Sequence, residues 1–133
     1  MPEEAAMSFH AAQVLVDRNG DVCLWSQDCE RLFGYAAEEA IGRSVDFIVP
    51  PKYQQQHWRG FRAAMVRTET ERPHGVGNIP VVHADGSMHA HPFRQIILFD
   101  AFGRATGAIV IFSDALQPGE SNGLRNAFFD ALE

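Results

Sequence analysis

Apolar and polar positions mark out the start of the chain as a hairpin. Ala12–Val16 is apolar and β-prone through Val14 and Val16, and Asp21–Trp25 alternates Val22 and Leu24 against Cys23 and Trp25. Alternation with period two predicts strands. Between them stands Asp17-Arg18-Asn19-Gly20, and Asn-Gly is a strong hairpin signal because both residues tolerate positive φ. The period then changes. Ser26-Gln27-Asp28 opens a short helix with Glu30 in its first turn, where an acid suits the helix dipole. Leu32-Phe33 closes it and Gly34 stops it. Ala36–Ala40 predicts a second short helix, acidic on its outer face, ended by Gly42.

A short apolar run (Val45, Phe47, Ile48, Val49) follows and breaks at Pro50-Pro51, which cannot continue a helix. Beyond the break Tyr53, His57, Phe61, Ala64 and Met65 recur at helical spacing, predicting a longer helix with His57 on its inward stripe. Thr68–His74 is a polar connection that contains Pro73.

From Gly75 the pattern is again that of strands. Val76–Val82 carries Gly77 and Pro80 inside it, which predicts an edge or bulged strand. His83-Ala84-Asp85-Gly86 turns into a long strand, Met88–Phe99, and Asp100-Ala101-Phe102-Gly103 turns that into Arg104–Phe112. After Asp114 the chain passes through Gln117-Pro118-Gly119 into Gly123–Leu132, where Leu124, Phe128, Ala131 and Leu132 predict a short amphipathic helix. Two strands, several helices and three more strands predict an α+β fold: a five-stranded antiparallel sheet whose concave face is covered by short helices and one longer helix.

Composition narrows the function classes. The 133 residues suit one domain, read as residues 11–114, with a cap or flanking helix over 1–10 and a C-terminal tail over 115–133. The net charge is −6, with one Lys and scattered Arg, so nucleic acid is not an expected partner. The start is acidic without an apolar core, and no run reaches the length of a membrane span; a cytoplasmic protein is expected. Cys23 and Cys29 lack the CxxC spacing and read as small packing residues in a reducing compartment. There is no G-x-S-x-G, no H-E-x-x-H and no phosphate-cradling glycine loop, so the expectation is a binding module and not an enzyme. Two histidine features carry chemistry. His57 sits on a half-apolar helix, either as a boundary residue or as a ligand. His89 and His91, two apart on one strand, share a face, and with His83 in the turn they form a candidate divalent-metal site; exposed strand histidines are the other reading.

The tokens Asn19-Gly20, Leu32-Phe33-Gly34-Tyr35, Glu38-Glu39-Ala40-Ile41-Gly42, Ile48-Val49-Pro50 and Asp85-Gly86 occur in one order over residues 10 to 114. This order resembles the PAS domain family of sensory modules. The resemblance implies a sheet and flanking helices that enclose a ligand or cofactor. The segment with Pro51, His57 and Phe61 is similar to the helix of heme-binding PAS sensors that supplies the proximal histidine. That implies heme b held through His57, and a diatomic gas (O2, CO or NO) or a redox state as the signal. The same resemblance implies pocket walls from Phe47, Ile48, Phe61, Val76, Ile96, Leu98, Ile109 and Ile111, with Arg59, Arg62, His74 or Arg94 to anchor propionates. Where those sensors carry a distal Arg this chain has Gly77, and Gly75 stands where one of them has a distal Met. Asn78, Arg72, His74 or Trp25 are the candidate replacements. The alternative is a PAS interaction module with FAD, another small organic ligand or no cofactor, in which the same residues form a plain core. A downstream signalling protein or output domain, and a homodimer, are the implied partners.

Overall fold

A computed structural model describes residues 11–66 and 74–126. Strand β1 (Ala12–Asp17) buries Ala12, Val14 and Val16 in alternation. It pairs antiparallel with β2 (Val22–Trp25). The turn between them is built from Asp17, whose carboxylate accepts the N–H of Asn19 at 2.9 Å and of Asp21 at 3.0 Å. Gly20 adopts φ +86°, a conformation that costs glycine nothing.

Helix α1 (Gln27–Phe33) starts where the sequence places its cap. The Ser26 hydroxyl accepts from the N–H of Cys29 at 3.3 Å and from that of Gln13, on β1, at 2.9 Å. Gly34 ends it at φ +92°, donating its N–H to the Glu30 carbonyl. Because one hydroxyl serves both the helix start and the adjoining strand, Ser26→Ala is expected to cost about 1 kcal/mol. The check is the denaturant midpoint, which falls while the slope stays constant. An unchanged midpoint would mean that water replaces the hydroxyl at both N–H groups.

Helix α2 (Ala37–Ala40) and two 3₁₀ turns, Val45–Ile48 and Pro51–Tyr53, lead to α3 (Gln54–Met65). Pro51 opens the second 3₁₀ turn, a position that needs no N–H. Strands β3 (His74–Val82), β4 (Met88–Phe99) and β5 (Ala105–Phe112) complete one sheet of order β2-β1-β5-β4-β3, antiparallel throughout. β3 is an edge, as its glycine and proline predict.

The core lies between one sheet face and the helices. Val14, Val16, Val81, Ile97, Ala108 and Phe112 meet Trp25, Cys29, Phe33, Ile48, Ala64 and Met65. Cys23, expected to pack, is exposed, and neither cysteine is in a disulfide. Residues 123–126 are not helical: Asn126 bridges to Asn78 on β3 in parallel. The remainder of the amphipathic helix predicted over 123–132, and the cap over 1–10, lie outside the described residues.

One expectation is overturned by the sheet. The covered face takes Phe93, Gln95 and Ile97 from β4 and Ala108, Val110 and Phe112 from β5. Ile96 and Leu98, Ile109 and Ile111 therefore point to the opposite face, and Val76 is exposed. These five were expected to wall the pocket. Both faces of β4 and β5 are apolar, so the pattern does not say which is covered, and a one-residue choice reverses the whole set.

Candidate functional site

Between α3 and the sheet lies a cavity of about 330 Å³. Val14, Val16, Ala108, Val110 and Phe112 form its floor, and Ile79, Pro80, Val81 and Phe93 one side. Val45, Ile48 and Val49 close one end, and α3 contributes Gln56, His57, Gly60, Phe61 and Ala64. The wall is apolar except at three side chains, Gln56, His57 and Gln95. A mostly apolar concavity with a few placed polar groups is the usual build of a small-molecule site, and this volume is at the lower end of the range.

His57 projects from the middle of α3 because helical spacing puts it on the stripe of Tyr53, Phe61 and Ala64. Its Nδ1 is shut off from solvent. The ring stacks near Phe61, with centroids 6.3 Å apart, and meets the Trp58 indole edge-on at 4.7 Å. Burial pushes the imidazole down from the ordinary 6.5 to about 4, with the Asp46 carboxylate opposing. At neutral pH the ring is uncharged. Neutral imidazole is the metal-ligating form.

Of the other expected site residues, Ile48 and Phe61 line the cavity. Phe47 instead packs against Trp25 and Tyr35, with the Arg43 guanidinium over its ring at 4.3 Å. Gly77 is buried at the β3 edge, between Phe93 and the Arg125 carbonyl, and does not line the cavity. Asn78 turns away from it: its side chain exchanges hydrogen bonds with Asn122 at 3.0 and 2.8 Å and donates to Asn126 at 3.2 Å. Trp25 spends its indole N–H on the Tyr35 carbonyl. Arg59 and Arg62 are on the exposed side of α3, and Arg94 pairs with Ile111 on the uncovered sheet face. Arg72 and the His74 side chain lie outside the described residues. Gln56 and Gln95 were missed. Gln95 is two residues from both Phe93 and Ile97, and only the choice of the wrong strand face hid it.

The family model described as the PAS fold matches residues 8–118. The chain belongs to the PAS family. Within 70 residues this PAS chain is 36% identical to the sensor protein FixL of Bradyrhizobium diazoefficiens. That match covers 51% of the chain but only 13% of the relative. The PAS domain of a protein from Colwellia psychrerythraea superposes with a TM-score of 0.69 at 23% identity, covering 85% of this chain and 95% of that one. The dark structure of the blue-light photoreceptor Aureochrome1 LOV gives 0.65 at 16% identity, covering 88% and 84%. At these identities the two structures show the fold alone.

For heme, the cofactor that the resemblance implies, one chemical feature is in place: the neutral His57 imidazole is of the form that binds a metal. A cavity of about 330 Å³ would have to widen around a porphyrin. Among the expected propionate anchors Arg94 is on the wrong face, which leaves the exposed Arg59 and Arg62 on α3 and His74, whose side chain lies outside the described residues. The second histidine feature of this PAS domain is separate from the cavity. His83 and His91 meet through their Nε2 atoms at 2.9 Å, and His89 bonds Ser87 instead. Among the described residues no three His, Cys, Asp or Glu side chains are grouped to hold a metal ion. No helix among them is long and apolar enough to cross a membrane.

Proposed function

We propose that this PAS domain is a sensor that takes heme b in the α3 cavity, where His57 would hold its iron. The observation that carries the reading is a neutral imidazole, presented by α3, in the wall of a mostly apolar cavity. Resemblance of the Pro51-to-Phe61 segment to heme-binding PAS sensors, and the similarity to FixL, support it. Heme, when bound, supplies an iron centre for a diatomic gas or for a change of redox state.

The chain's own residues do the rest. Val14, Val16, Val110 and Phe112 exclude water, which lowers the local dielectric and strengthens any polar contact made there. Gln95, from the sheet, is one of two uncharged amides that line the cavity with His57, and among the described residues no Arg lines it. An uncharged amide is a weaker donor than the Arg of the related sensors. Weak retention of O2 relative to CO and NO is therefore expected. In this reading the domain acts by binding, and its signal passes to an output domain or a separate signalling protein.

A second reading has its own observation. The two cavity amides, Gln56 and Gln95, and the modest volume suit a small organic molecule with both donor and acceptor groups. One spectrum separates the readings. After hemin reconstitution the wild-type chain is expected to show a Soret band that His57→Ala loses or shifts. A wild-type chain without a Soret band would end the heme reading and leave the organic ligand. A flavin spectrum in the protein as isolated would do the same.

A further inference from the structure

On β4, opposite Ile79 of β3, one fully buried histidine holds the point where the chain leaves β5. His91 has no exposed surface, and its Nδ1 lies 2.8 Å from the Ser113 carbonyl oxygen. A carbonyl cannot donate, so Nδ1 must carry the proton. The Nε2 of neutral His91 is then a bare acceptor. His83 Nε2, at 2.9 Å, has to donate to it, which leaves the Nδ1 of His83 unprotonated.

The geometry also says what this pair is for. Ring centroids 5.1 Å apart, with the Nε2 atoms 2.9 Å apart, place both nitrogens between the rings and facing each other. Two lone pairs aimed in that way share a proton; they do not converge on a third point where a metal would sit.

We propose that the His83–His91 pair is a proton-operated clasp on the C-terminal exit of the sheet. A first proton goes to His83 Nδ1, and the N–H···N bond survives as a charge-assisted one. A second proton puts a hydrogen on both facing nitrogens, and the contact must open. His91 cannot turn away alone, because its other nitrogen holds Ser113. The opening is therefore transmitted to the chain beyond β5. There the Ser113 N–H donates to the Pro92 carbonyl at 2.9 Å and that of Leu116 to the Ala90 carbonyl at 2.8 Å.

The surroundings set the direction of the response. Asp85, in the turn after β3, and Asp114, after β5, favour charge on the pair; His89 on β4 opposes it. From α1, Phe33 presents an edge-on ring to both imidazoles, at 5.5 and 5.1 Å, and Phe112 of β5 one to His91 at 6.4 Å. Burial is the largest influence on each histidine and holds both below the ordinary range. Since the folded values are depressed, the clasp is intact above the ordinary histidine range and is lost as pH falls below it.

The test is a nitrogen-15 NMR titration of the whole chain between about pH 8 and about pH 4.5, a range that brackets ordinary histidine. At the neutral end His91 should show the Nδ1–H tautomer and His83 the Nε2–H tautomer. The pair should titrate in two separated steps, with the backbone amides of Ser113 and Leu116 moving on the second. His83→Gln, at a half-buried position, should convert His91 to a single step while those amides stay still, because the Gln carbonyl can accept from a protonated Nε2 and the contact need not open. An Nε2–H tautomer for His91 would overturn the proposal. So would amides of Ser113 and Leu116 that stay still while both rings titrate, or a chain that unfolds before the second proton is taken up.

Discussion

Phe33→Ala is expected to lower the stability of the domain by about 3–5 kcal/mol, the cost of truncating a well-packed buried aromatic. Phe33 is 1% exposed and sits where four elements meet. Its ring is edge-on to Phe112 of β5 at 5.1 Å and to His91 of β4 at 5.1 Å. On its other sides are Trp25 of β2 at 5.9 Å and His83 at 5.5 Å. No neighbour can move in to fill the space without giving up another contact, because the strands that carry them are paired through the sheet. A small domain holds about 5–15 kcal/mol in all, so this one change takes a large share. Denaturant unfolding measures it. A change within about 0.5 kcal/mol, the scale of a surface substitution, would show that Phe33 is not the centre of the core.

Gly20→Ala should produce the second largest effect, and it should reach the cavity. A side chain at φ +86° is strained by about 1–2 kcal/mol. A Cβ there would also fall inside contact distance of the Trp58 ring, with Phe61 next to it at 3.7 Å. Overpacking of that kind costs about 1–3 kcal/mol more. Trp58 is not free to yield: its indole N–H is bonded to the Asp46 carboxylate at 3.3 Å, and its ring meets His57. The variant is expected to unfold at lower denaturant, to shift its tryptophan emission to the red, and to bind any His57 ligand more weakly. A lowered midpoint with unchanged emission and ligand affinity would show that the strain is confined to the turn and that α3 does not register it.

Much of the site was legible because its causes are local. His57 lies on the inward stripe of α3 because a helix repeats every 3.6 residues, and that period is written in Tyr53, His57, Phe61 and Ala64. Ile48 and Phe61, which the resemblance to PAS domains placed in the pocket wall, do line the cavity. The strand contribution was misread as a block. Ile96, Leu98, Ile109 and Ile111 are as apolar as Ile97, Val110 and Phe112, so no feature of either set marks the covered face. Gln95 was lost with that choice. Asn78 was a candidate for the distal side because of its place in β3, and it turns instead to Asn122 and Asn126, more than forty residues on. The histidines were grouped as a trio by proximity in sequence. Only the pairing of β3 with β4 and the exit of β5 join His83 to His91 by a hydrogen bond, while His89 bonds Ser87 and keeps a ring contact with His83 at 4.6 Å.

The sequence by itself determined the elements between residues 12 and 112, their order, the hairpin turn, the helix cap at Ser26, the glycine stop at Gly34 and the edge status of β3. Each follows from propensity or from a bond between near neighbours. It also determined that the family is PAS, through tokens spread in order along the chain. The tertiary structure decided which sheet face the helices cover, which polar side chains reach the cavity, and what Gly20, Asn78 and His91 touch. Those choices depend on contacts between residues far apart in the chain. A one-residue change of strand register or face satisfies the local pattern equally well, and only packing against α1 and α3 distinguishes the alternatives.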